Sequence, residues 1–469
     1  MSEEQMIHEA AMEILGEVGV KIHNERAVEI LQENGIRVED SIAFFSEEQV
    51  MEWVSKAPES FTIYARNPRY DALIGGSTSN VLPTYGCAFV DDWEGNRRRG
   101  TMADYLTCLK LIQAEEIYSF NGGILVQPGD VAEEFMTLLM FYATITHSDK
   151  AIILPTGFKN EVELALQACA ELYGGKEELA QKPRVISLIN TVSPLALDAR
   201  MLDCLMLLAD YGQPAIICPA AMLGATSPVT IAGTLASNTA EVLAGIALTQ
   251  MIRPGTPVVF GIQSTAADFR GVTFACAAPE GTIMQGFAAR MGRFYHLPSR
   301  GGGCQTDAPL INCQAGYESM LTFSSAYRNG INVILEAGGV MDSVNATSFE
   351  KMVIDFEIIR QVQVACKPFE VNEQTLDLAT IKEMAHTGSF VMSDTTLDNY
   401  RELYTPHVGP RSEAGADYFK QSVDAEMKRL LEKYNSEQPV LDTETLENLK
   451  ALLVQAGIKP QDLEAIDAL

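Results

Sequence analysis

The chain has 469 residues, of which 47% are hydrophobic and 20% charged, with 35 glycines and 20 prolines. This composition excludes a disordered chain, because it supplies ample apolar material for a large core. The formal net charge of −28 repels the phosphates of nucleic acids and of anionic lipids, so we expect neither nucleic acid nor a membrane as a partner.

The N-terminal residues predict an amphipathic helix rather than a secretory leader. MSEEQMIHEAAMEILGEVGV starts with acidic residues and has no basic stretch followed by an apolar core and a cleavage site. The longest apolar runs, such as residues 215–225, carry Pro and Gly and are too short to span a bilayer. We therefore expect a cytoplasmic protein.

The nine cysteines and six histidines are dispersed, without a CxxC pair, an HExxH motif or a compact Cys/His cluster. Most of the cysteines are expected to be buried free thiols in a reducing compartment. We predict no tightly bound metal, because no group of residues has the ligand spacing of a zinc site.

Residues 1–80 are predicted to cover the domain that follows them. Residues 1–60 read as helices, with Ser46 as a cap ahead of two glutamates. FTIYARNPRYDALIGG then changes to the β-branched and aromatic residues of strands. A second segment, CAFVDDWEGNRRRGT, has the acidic and glycine turn of a hairpin, which we place at the entry to the main domain.

Residues 81–368 alternate short apolar runs, segments rich in Gly, Pro, Ser and Asn, and amphipathic helices, which is the rhythm of βα units. Eight such runs favour a closed (β/α)8 TIM barrel, an α/β fold, over an open doubly wound sheet. The predicted strands are Val81–Tyr85, Tyr118–Leu125, Ala151–Thr156, Val185–Asn190, Ala215–Pro219, Val258–Ile262, Pro298–Gly302 and Ile331–Glu336.

Residues 369–469 become acidic, and DAEMKRLLEKY and ETLENLKALLVQAG predict amphipathic helices. This C-terminal helical extension is expected to cap the barrel, to form a dimer contact, or to do both. We therefore expect a homo-oligomer.

Several segments, in the same order along the chain, resemble the trimethylamine methyltransferase family of corrinoid-dependent enzymes. The most specific are SRGGGCQTDAPLINCQAGYE at residues 299–318, followed by GINVILEAGGVMDS and SFEKMVIDFEI. EVGVKIHNERAVEILQENGIRVED, STAADFRGV and SDTTLDNYRELYTPHVGPR agree with the same family. The resemblance spans nearly the whole chain.

Founding members of the family carry pyrrolysine, and this chain has only standard residues, so it resembles the branch without it. That branch is similar to methyltransferases of glycine betaine, proline betaine, carnitine and related quaternary amines. The resemblance implies transfer of a methyl group from a quaternary amine to the Co(I) corrinoid, a cobalamin, of a separate corrinoid-binding protein. The histidine that the family carries before TL is absent in MSDTTL, which puts any role of that position in doubt.

The chemistry of a quaternary amine suits a site without pyrrolysine. Its nitrogen is already positive, so Co(I) can displace a neutral amine without a general acid. The protein then has to exclude water and align the two reactants, which is a task for a barrel mouth. In such barrels the active site lies at the C-terminal ends of the strands.

Aromatic faces bind trimethylammonium groups through cation–π contacts. The aromatic candidates near the mouth are Tyr85, Phe158 and Phe269, and core packing is the alternative for each. Glu336 and Asp307 are candidates for a carboxylate that attracts the cation.

The carboxylate of a betaine calls for an arginine fork or a cluster of backbone amides. Arg270 and the amides of residues 301–303 are candidates, with a loop salt bridge and a tight turn as the respective alternatives. The amides that follow three predicted strands can orient a polar substrate, and they are Asn190, Gln263 and Gln305.

Two other functions stay open from the sequence. One is a barrel lyase or aldolase without corrinoid, which a lysine at a strand end would indicate, although lysines are scarce there. The other is a non-catalytic betaine sensor, which would bind the ligand without methyl transfer.

Overall fold

The computed structural model describes residues 1–386, 388–409, 415 and 417–468. Its centre is built from eight short strands, namely β1 (Asn80–Val81), β2 (Phe120–Gly122), β3 (Ala151–Ile153), β4 (Val185–Asn190), β5 (Ala215–Cys218), β6 (Val258–Gly261), β7 (Ser299–Gly302) and β8 (Val333–Leu335). Neighbouring strands pair in parallel in the order β1-β8-β7-β6-β5-β4-β3-β2. A parallel bridge between Val81 and Tyr118 closes the ring.

Eight helices alternate with the strands on the outside. They are α1 (Met102–Ala114), α2 (Met136–His147), α3 (Lys159–Leu172), α4 (Ala199–Asp210), α5 (Ile231–Ile252), α6 (Pro279–Phe294), α7 (Cys313–Arg328) and α8 (Phe349–Ala365). The strands are covered by these helices on one face and by the barrel interior on the other, which explains their unbroken apolar runs. The predicted (β/α)8 barrel is confirmed.

Helix α5 is, among the described residues, the one helix long and apolar enough in composition to cross a membrane. This helix is longer than the apolar runs noted in the sequence, which were expected to be too short to span a bilayer. Most of its apolar stretch is buried inside the protein, because the helices Glu3–Glu13 and Glu47–Val54 pack on its outer side. Its apolar residues therefore belong to the core.

The N-terminal residues add strands that the sequence analysis did not expect. Val20–Ile22, Arg37–Glu39 and Ile42–Phe44 form a sheet with Ala196–Leu197, which lies after β4. The expectation of helices alone over residues 1–60 was therefore wrong, because parallel pairing with a segment far along the chain stabilises the extended backbone. The helix Glu25–Glu33 also packs on α5, and Ser46 caps its helix as predicted.

The hairpin of Ser60–Ile63 and Ala72–Gly75 lies across the N-terminal end of the barrel. The residues between its two strands donate hydrogen bonds to residues that precede strands of the barrel. Tyr64 N donates to Pro183 O, before β4, at 2.8 Å, and Asn67 N donates to Asp149 O, before β3, at 2.9 Å. Asn332, just before β8, donates from Nδ2 to Thr78 O at 2.8 Å. This end of the barrel is therefore closed, and access to the interior is from the opposite end.

The second predicted hairpin is also present, with strands Phe89–Asp91 and Arg97–Arg99. It follows β1 and pairs in parallel with Ala346–Thr347, which follows β8. Since both connections leave the C-terminal ends of their strands, this hairpin lies at the mouth of the barrel, as expected.

The C-terminal extension packs against the outside of the barrel. Helix Tyr418–Ser436 contacts α1 and α8, Thr443–Gln455 contacts α3, and Pro460–Ala468 contacts α2. Two residues of the SDTTLDNYRELYTPHVGPR motif, Pro410 and Arg411, lie outside the described residues. The remaining helical elements are the π-helix Ile14–Val18, the 3-10 helices Pro68–Tyr70, Glu133–Phe135 and Tyr400–Glu402, and the α-helices Lys176–Gln181, Glu373–Leu376, Leu378–Met384 and Asp394–Asn399. The remaining strands are Met222–Leu223, Thr265–Asp268, Thr273–Ala275 and Val340–Met341.

The cysteines are free, and seven of the nine are buried, as predicted. Cys366 is half-buried and Cys313 is exposed. Burial raises the pKa of the Cys218 thiol to about 11, so at neutral pH this cysteine is a neutral packing residue rather than a thiolate.

Candidate functional site

Arg300 is the residue around which the polar interior of the barrel is organised. It lies on β7, and its side chain is fully buried. The guanidinium donates from Nη2 to Glu336 Oε1 at 2.7 Å and from Nη1 to Gln263 Oε1. It also lies 3.5 Å from the Cys218 sulfur at the end of β5. Arg300 on β7 thus contacts one side chain at the end of β5 and two side chains that follow β6 and β8.

Arg300 was not among the site residues predicted from the sequence, although it lies in the SRGGG segment that carries the family resemblance. A charged residue inside an apolar, glycine-rich strand was the available signal, because charged residues are almost never fully buried unless they are paired. The pattern did not say which partner would pair with it.

Glu336 is the anionic partner in this cluster. Its second oxygen, Oε2, accepts a hydrogen bond from Gln305 Nε2 at 2.7 Å. The backbone of Glu336 has a φ of 57°, a left-handed conformation that is uncommon for a residue with a side chain and that concentrates at functional sites. Burial raises the pKa of Glu336, and the neighbouring Arg300 guanidinium opposes that rise.

Two buried atoms of the cluster have no hydrogen-bond partner within the described part of the chain. They are Arg300 Nε and Gln305 Oε1, one donor and one acceptor. Leaving such an atom without a partner costs about 1–3 kcal/mol, so natural structures nearly always satisfy it with protein, water or a ligand. The cluster is therefore able to accept further polar contacts from a bound molecule.

Glycines make room for this cluster. A Cβ on Gly302 would lie 2.6 Å from the Gln305 side chain. The backbone amides of residues 301–303 were predicted to bind a substrate carboxylate. The Gly302 amide is already engaged, because it donates to Gln285 Oε1 at 3.0 Å.

Tyr85 follows β1 and is buried against the interior of the barrel. A Cβ on Gly123, after β2, would lie 2.9 Å from the Tyr85 ring. The phenol oxygen lies 3.5 Å from Thr156 Oγ1, which follows β3. Burial raises the pKa of Tyr85 to about 12, so the phenol is neutral and presents an aromatic face.

Asn190 and Asp307 also lie at the C-terminal ends of strands. Asn190 ends β4 and is the exposed residue of that strand. Asp307 Oδ1 accepts from Ser343 Oγ at 2.6 Å, and its Oδ2 accepts from the Ala277 amide at 3.2 Å. Asp307 therefore ties together the loops that follow β6, β7 and β8.

The structure does not bring the remaining three candidates into the Arg300 cluster. Phe158 is 42% exposed and lines a cavity of about 640 Å³ beside α2 and α3. Phe269 is 62% exposed, and the side chain of Arg270 is 92% exposed. The Arg270 guanidinium binds Asp268, with Nη2 2.6 Å from Oδ2, which is the loop salt bridge named as its alternative.

Glu241 is a second buried carboxylate that the sequence analysis did not single out. It lies on α5 and accepts from Ser193 Oγ and from the Leu195 amide, both at 2.9 Å, as well as from the Thr191 hydroxyl. Burial raises the pKa of Glu241. These bonds fix the loop after β4, so Glu241 positions one side of the barrel mouth.

A lysine suitable for a Schiff base would have to lie at the mouth. Lys150 is buried, and burial lowers its pKa to about 7, but it precedes β3 and so lies at the closed end. Its Nζ donates to Ile112 O and Glu115 O at 2.6 and 2.5 Å. Across residues 1–386, 388–409 and 417–468, no three His, Cys, Asp or Glu side chains form a metal-binding group; the lack of a resident metal stays a prediction.

Comparison with known proteins places this barrel among relatives. Residues 1–456 match the family model described as trimethylamine methyltransferase (MTTB). The chain is 36% identical to a glycine betaine methyltransferase of Desulfitobacterium hafniense, over 97% of this chain and 95% of that protein. It is 29% identical to a proline betaine:corrinoid methyltransferase of Eubacterium limosum, over 85% and 84% of the two chains.

The structure also resembles the crystal structure of the monomethylamine methyltransferase MtmB of Methanosarcina barkeri. The TM-score is 0.50 at 11% identity, over 92% of this chain and 98% of that one, which supports the fold alone. The family match covers nearly the whole chain, and the fold of the solved structure agrees with the barrel. The chain belongs to the trimethylamine methyltransferase family.

Proposed function

We propose that this protein moves a methyl group from a quaternary amine of the betaine class to the Co(I) corrinoid of a separate protein. The names of the two betaine relatives support this class of donor. The chain shares more residues with the glycine betaine methyltransferase, at 36% identity, than with the trimethylamine methyltransferase of Desulfitobacterium hafniense, at 26%. The corrinoid is a second substrate, which its carrier protein brings to the barrel mouth.

The reaction balances without an acid or a base. The electron pair of Co(I) attacks the methyl carbon and forms a Co–CH3 bond, while the C–N bond breaks and its electron pair stays on nitrogen. The products are a methyl-Co(III) corrinoid and a neutral tertiary amine. The protein therefore needs to hold the donor, exclude water and leave one methyl group facing the mouth.

The proposal that the donor is a zwitterion is based on the buried pair of Arg300 and Glu336. A betaine has one carboxylate and one quaternary ammonium, and the cluster presents one guanidinium and one carboxylate. In this proposal the carboxylate of the donor binds Arg300 through the unpartnered Nε, while the ammonium lies near Glu336 and the face of Tyr85.

The other polar side chains have supporting places in this proposal. Gln263 and Gln305 hold Arg300 and Glu336 in place, and the exposed Asn190 lies where it can orient the donor. Asp307 fastens the loops around the mouth. Substrate contacts by Phe158, Phe269 and Arg270 stay predictions of the sequence, since these residues lie outside the cluster.

Catalysis limits how strongly the cation is held. The positive charge on nitrogen disappears as the C–N bond breaks, so an attraction to the ammonium stabilises the ground state more than the transition state. Arg300 already neutralises much of the Glu336 charge. That arrangement binds the cation weakly enough for methyl transfer to proceed.

The test is methyl transfer by the purified protein. Glycine betaine, proline betaine and carnitine are each incubated with the protein and cob(I)alamin, with trimethylamine as the non-quaternary control, and methylcobalamin is followed by its absorption. We expect methylcobalamin with at least one quaternary amine. If none of the three donors yields it, the proposed reaction is wrong.

Two further measurements separate the alternatives. Binding of a betaine in a calorimeter without any methyl transfer would indicate a sensor. Consumption of a betaine in the absence of corrinoid would indicate a lyase. We also propose that the protein acts in the cytoplasm and as a homo-oligomer.

A further inference from the structure

Residues 367–386 and 388–403 form a segment, here called the arm, that is mostly exposed. The arm follows the end of α8, and the chain then returns to the same helix. Tyr404 Oη donates to Glu357 Oε1 at 2.6 Å, and the His407 amide donates to Glu357 Oε2 at 3.0 Å. The arm therefore begins at the end of α8 and is fastened again to α8 just beyond its other end.

The arm exposes an unusual amount of apolar surface. Eleven of its large hydrophobic side chains are exposed, with Phe369 at 87%, Met392 at 73% and Leu403 at 72%. Ser393 is the one buried residue among those described between 367 and 403. Eleven exposed large hydrophobic side chains within one short segment favour an interaction site over ordinary solvent exposure.

The short helices of the arm also need a partner. Asn372 caps Glu373–Leu376 through its bond from the Thr375 amide at 2.9 Å, and Ser393 caps Asp394–Asn399. Helices of four to seven residues gain too few hydrogen bonds to persist alone in water, and they depend on packing of an apolar face. Since Ser393 is the one buried residue among the described residues of the arm, a single chain provides little of that packing.

The size of the surface favours a permanent partner. With roughly 100 Å² or more for each large exposed side chain, the arm offers on the order of 1,000 Å², which exceeds the roughly 800 Å² per partner of a stable interface. Permanent interfaces are the more apolar ones, whereas partners that exchange use smaller and wetter surfaces. The corrinoid protein has to leave after each methyl transfer, so it is a poor match for the arm.

The position of the arm also argues against the corrinoid protein as its partner. Helix α8 starts beside the mouth strand Ala346–Thr347 and ends at the closed end of the barrel, where Arg360 pairs with Glu115 shortly before β2. The arm leaves from that closed end. A corrinoid must instead reach the mouth.

A complementary surface exists on helices α6 and α7 of the same chain. Ile283, Tyr317 and Leu321 are exposed there, at 55%, 59% and 42%. Both terminal extensions pack mainly on other helices, leaving this face open. Arg328 is exposed at the end of α7, and the arm has seven acidic and three basic residues, so Arg328 can pair with an acidic side chain of the arm.

We propose that the arm of one chain packs on the α6 and α7 face of a second copy, in a reciprocal two-fold dimer. Each arm then covers the α6 and α7 face of the other chain, so the same contact forms two times in the dimer. The proposed methyl transfer enters only in setting aside the corrinoid protein as the partner of the arm, so a failed methylation assay would leave the dimer to be tested by its mass.

The test combines two variants with a matched control. The arm variant carries Met392→Asp and Leu403→Asp, and the face variant carries Tyr317→Asp and Leu321→Asp. Val440→Asp changes an 86% exposed apolar residue outside both surfaces. Mass is measured by sedimentation velocity on the full chain, with circular dichroism and methyl transfer to free cob(I)alamin as checks of folding.

We expect the wild type and the control to be dimers at micromolar concentration, and each double variant to dissociate, with a dissociation constant raised more than about 100-fold. Mixing the two variants should restore part of the dimer, since one arm and one face remain intact. A monomeric wild type, or an arm variant or a face variant that keeps the dimer mass, would overturn the proposal. So would a variant of unchanged mass with a raised KM for the corrinoid protein, which would make the arm its docking site.

Discussion

Arg300 and Glu336 form an ion pair of 2.7 Å in which neither side chain is more than 6% exposed. We expect Arg300→Met to lower the free energy of unfolding by about 3–5 kcal/mol, because it leaves the Glu336 carboxylate buried without its cation. Urea unfolding measures this change. We also expect kcat/KM for the betaine to fall by about 100-fold or more, since a charge-assisted contact to the donor is lost.

A double variant separates the two effects of Arg300. Adding Glu336→Gln to Arg300→Met removes the uncompensated charge, so most of the stability should return while methyl transfer stays low. If Arg300→Met is fully active with every betaine, Arg300 does not bind the donor. If the double variant is no more stable than Arg300→Met, charge burial is not the cause of the loss.

Tyr85 offers a test of the aromatic contact. Tyr85→Phe keeps the aromatic face and removes a hydroxyl whose contact with Thr156 is 3.5 Å long, so KM should change little. Tyr85→Leu removes the cation–π contact, and KM for the betaine should rise by about 3- to 30-fold. Equal effects of the two substitutions would contradict a cation–π contact at Tyr85.

Phe158→Leu and Phe269→Leu apply the same substitution to the two exposed aromatic candidates. A rise in KM similar to that of Tyr85→Leu would support their predicted contact with the substrate. An unchanged KM would limit the aromatic contact to Tyr85. Steady-state kinetics with saturating cob(I)alamin measures all three.

Gly123 and Gly35 form a matched pair for the packing of Tyr85. Their φ angles are 77° and 79°, so alanine is strained equally at both positions. A Cβ at Gly35 has no atom within 4 Å, whereas at Gly123 it meets the Tyr85 ring at 2.9 Å. Gly123→Ala should therefore lose about 1–3 kcal/mol more stability than Gly35→Ala, and it alone should raise KM. Equal losses would mean that the ring moves away without cost.

His147 makes stability depend on pH. It is buried on α2, its Nδ1 lies 2.9 Å from the Tyr434 hydroxyl of helix Tyr418–Ser436, and burial lowers its pKa. In the unfolded chain a histidine binds its proton as the pH falls through about 6.5. In the folded chain His147 binds its proton only at a lower pH. The unfolded state thus binds more protons below a pH of about 6.5, and stability falls as the pH drops from there through the lowered pKa.

We expect His147→Asn, which keeps a polar group near Tyr434, to lose less stability than the wild type between pH 7 and pH 5. Urea unfolding at several pH values measures the difference. His23→Asn, at an exposed histidine, serves as the control and should follow the wild type. Parallel pH curves for the wild type and His147→Asn would exclude this role of His147.

The sequence predicted the barrel because its signals are local. The predicted strand Val185–Asn190 agrees with β4 at both ends, whereas Val81–Tyr85 was predicted longer than β1, Asn80–Val81. Tyr85 instead belongs to the loop, where its ring packs on Gly123. The three strands within residues 1–60 escaped prediction, because their partner Ala196–Leu197 is remote in sequence.

At the site, residue type and position after a strand were enough to select Gln263, Gln305 and Glu336, which the structure brings together. The same reasoning selected Arg270, because DFRG also follows a strand, and it passed over Arg300.

The sequence by itself determined the fold class and the family resemblance, and it predicted the end of the barrel at which the site is proposed, since each follows from runs of neighbouring residues. Only the tertiary structure decided which arginine is buried and which carboxylate it meets. Burial and pairing depend on residues that are far apart in sequence and close together in the barrel. A local sequence pattern does not show which of these residues become neighbours.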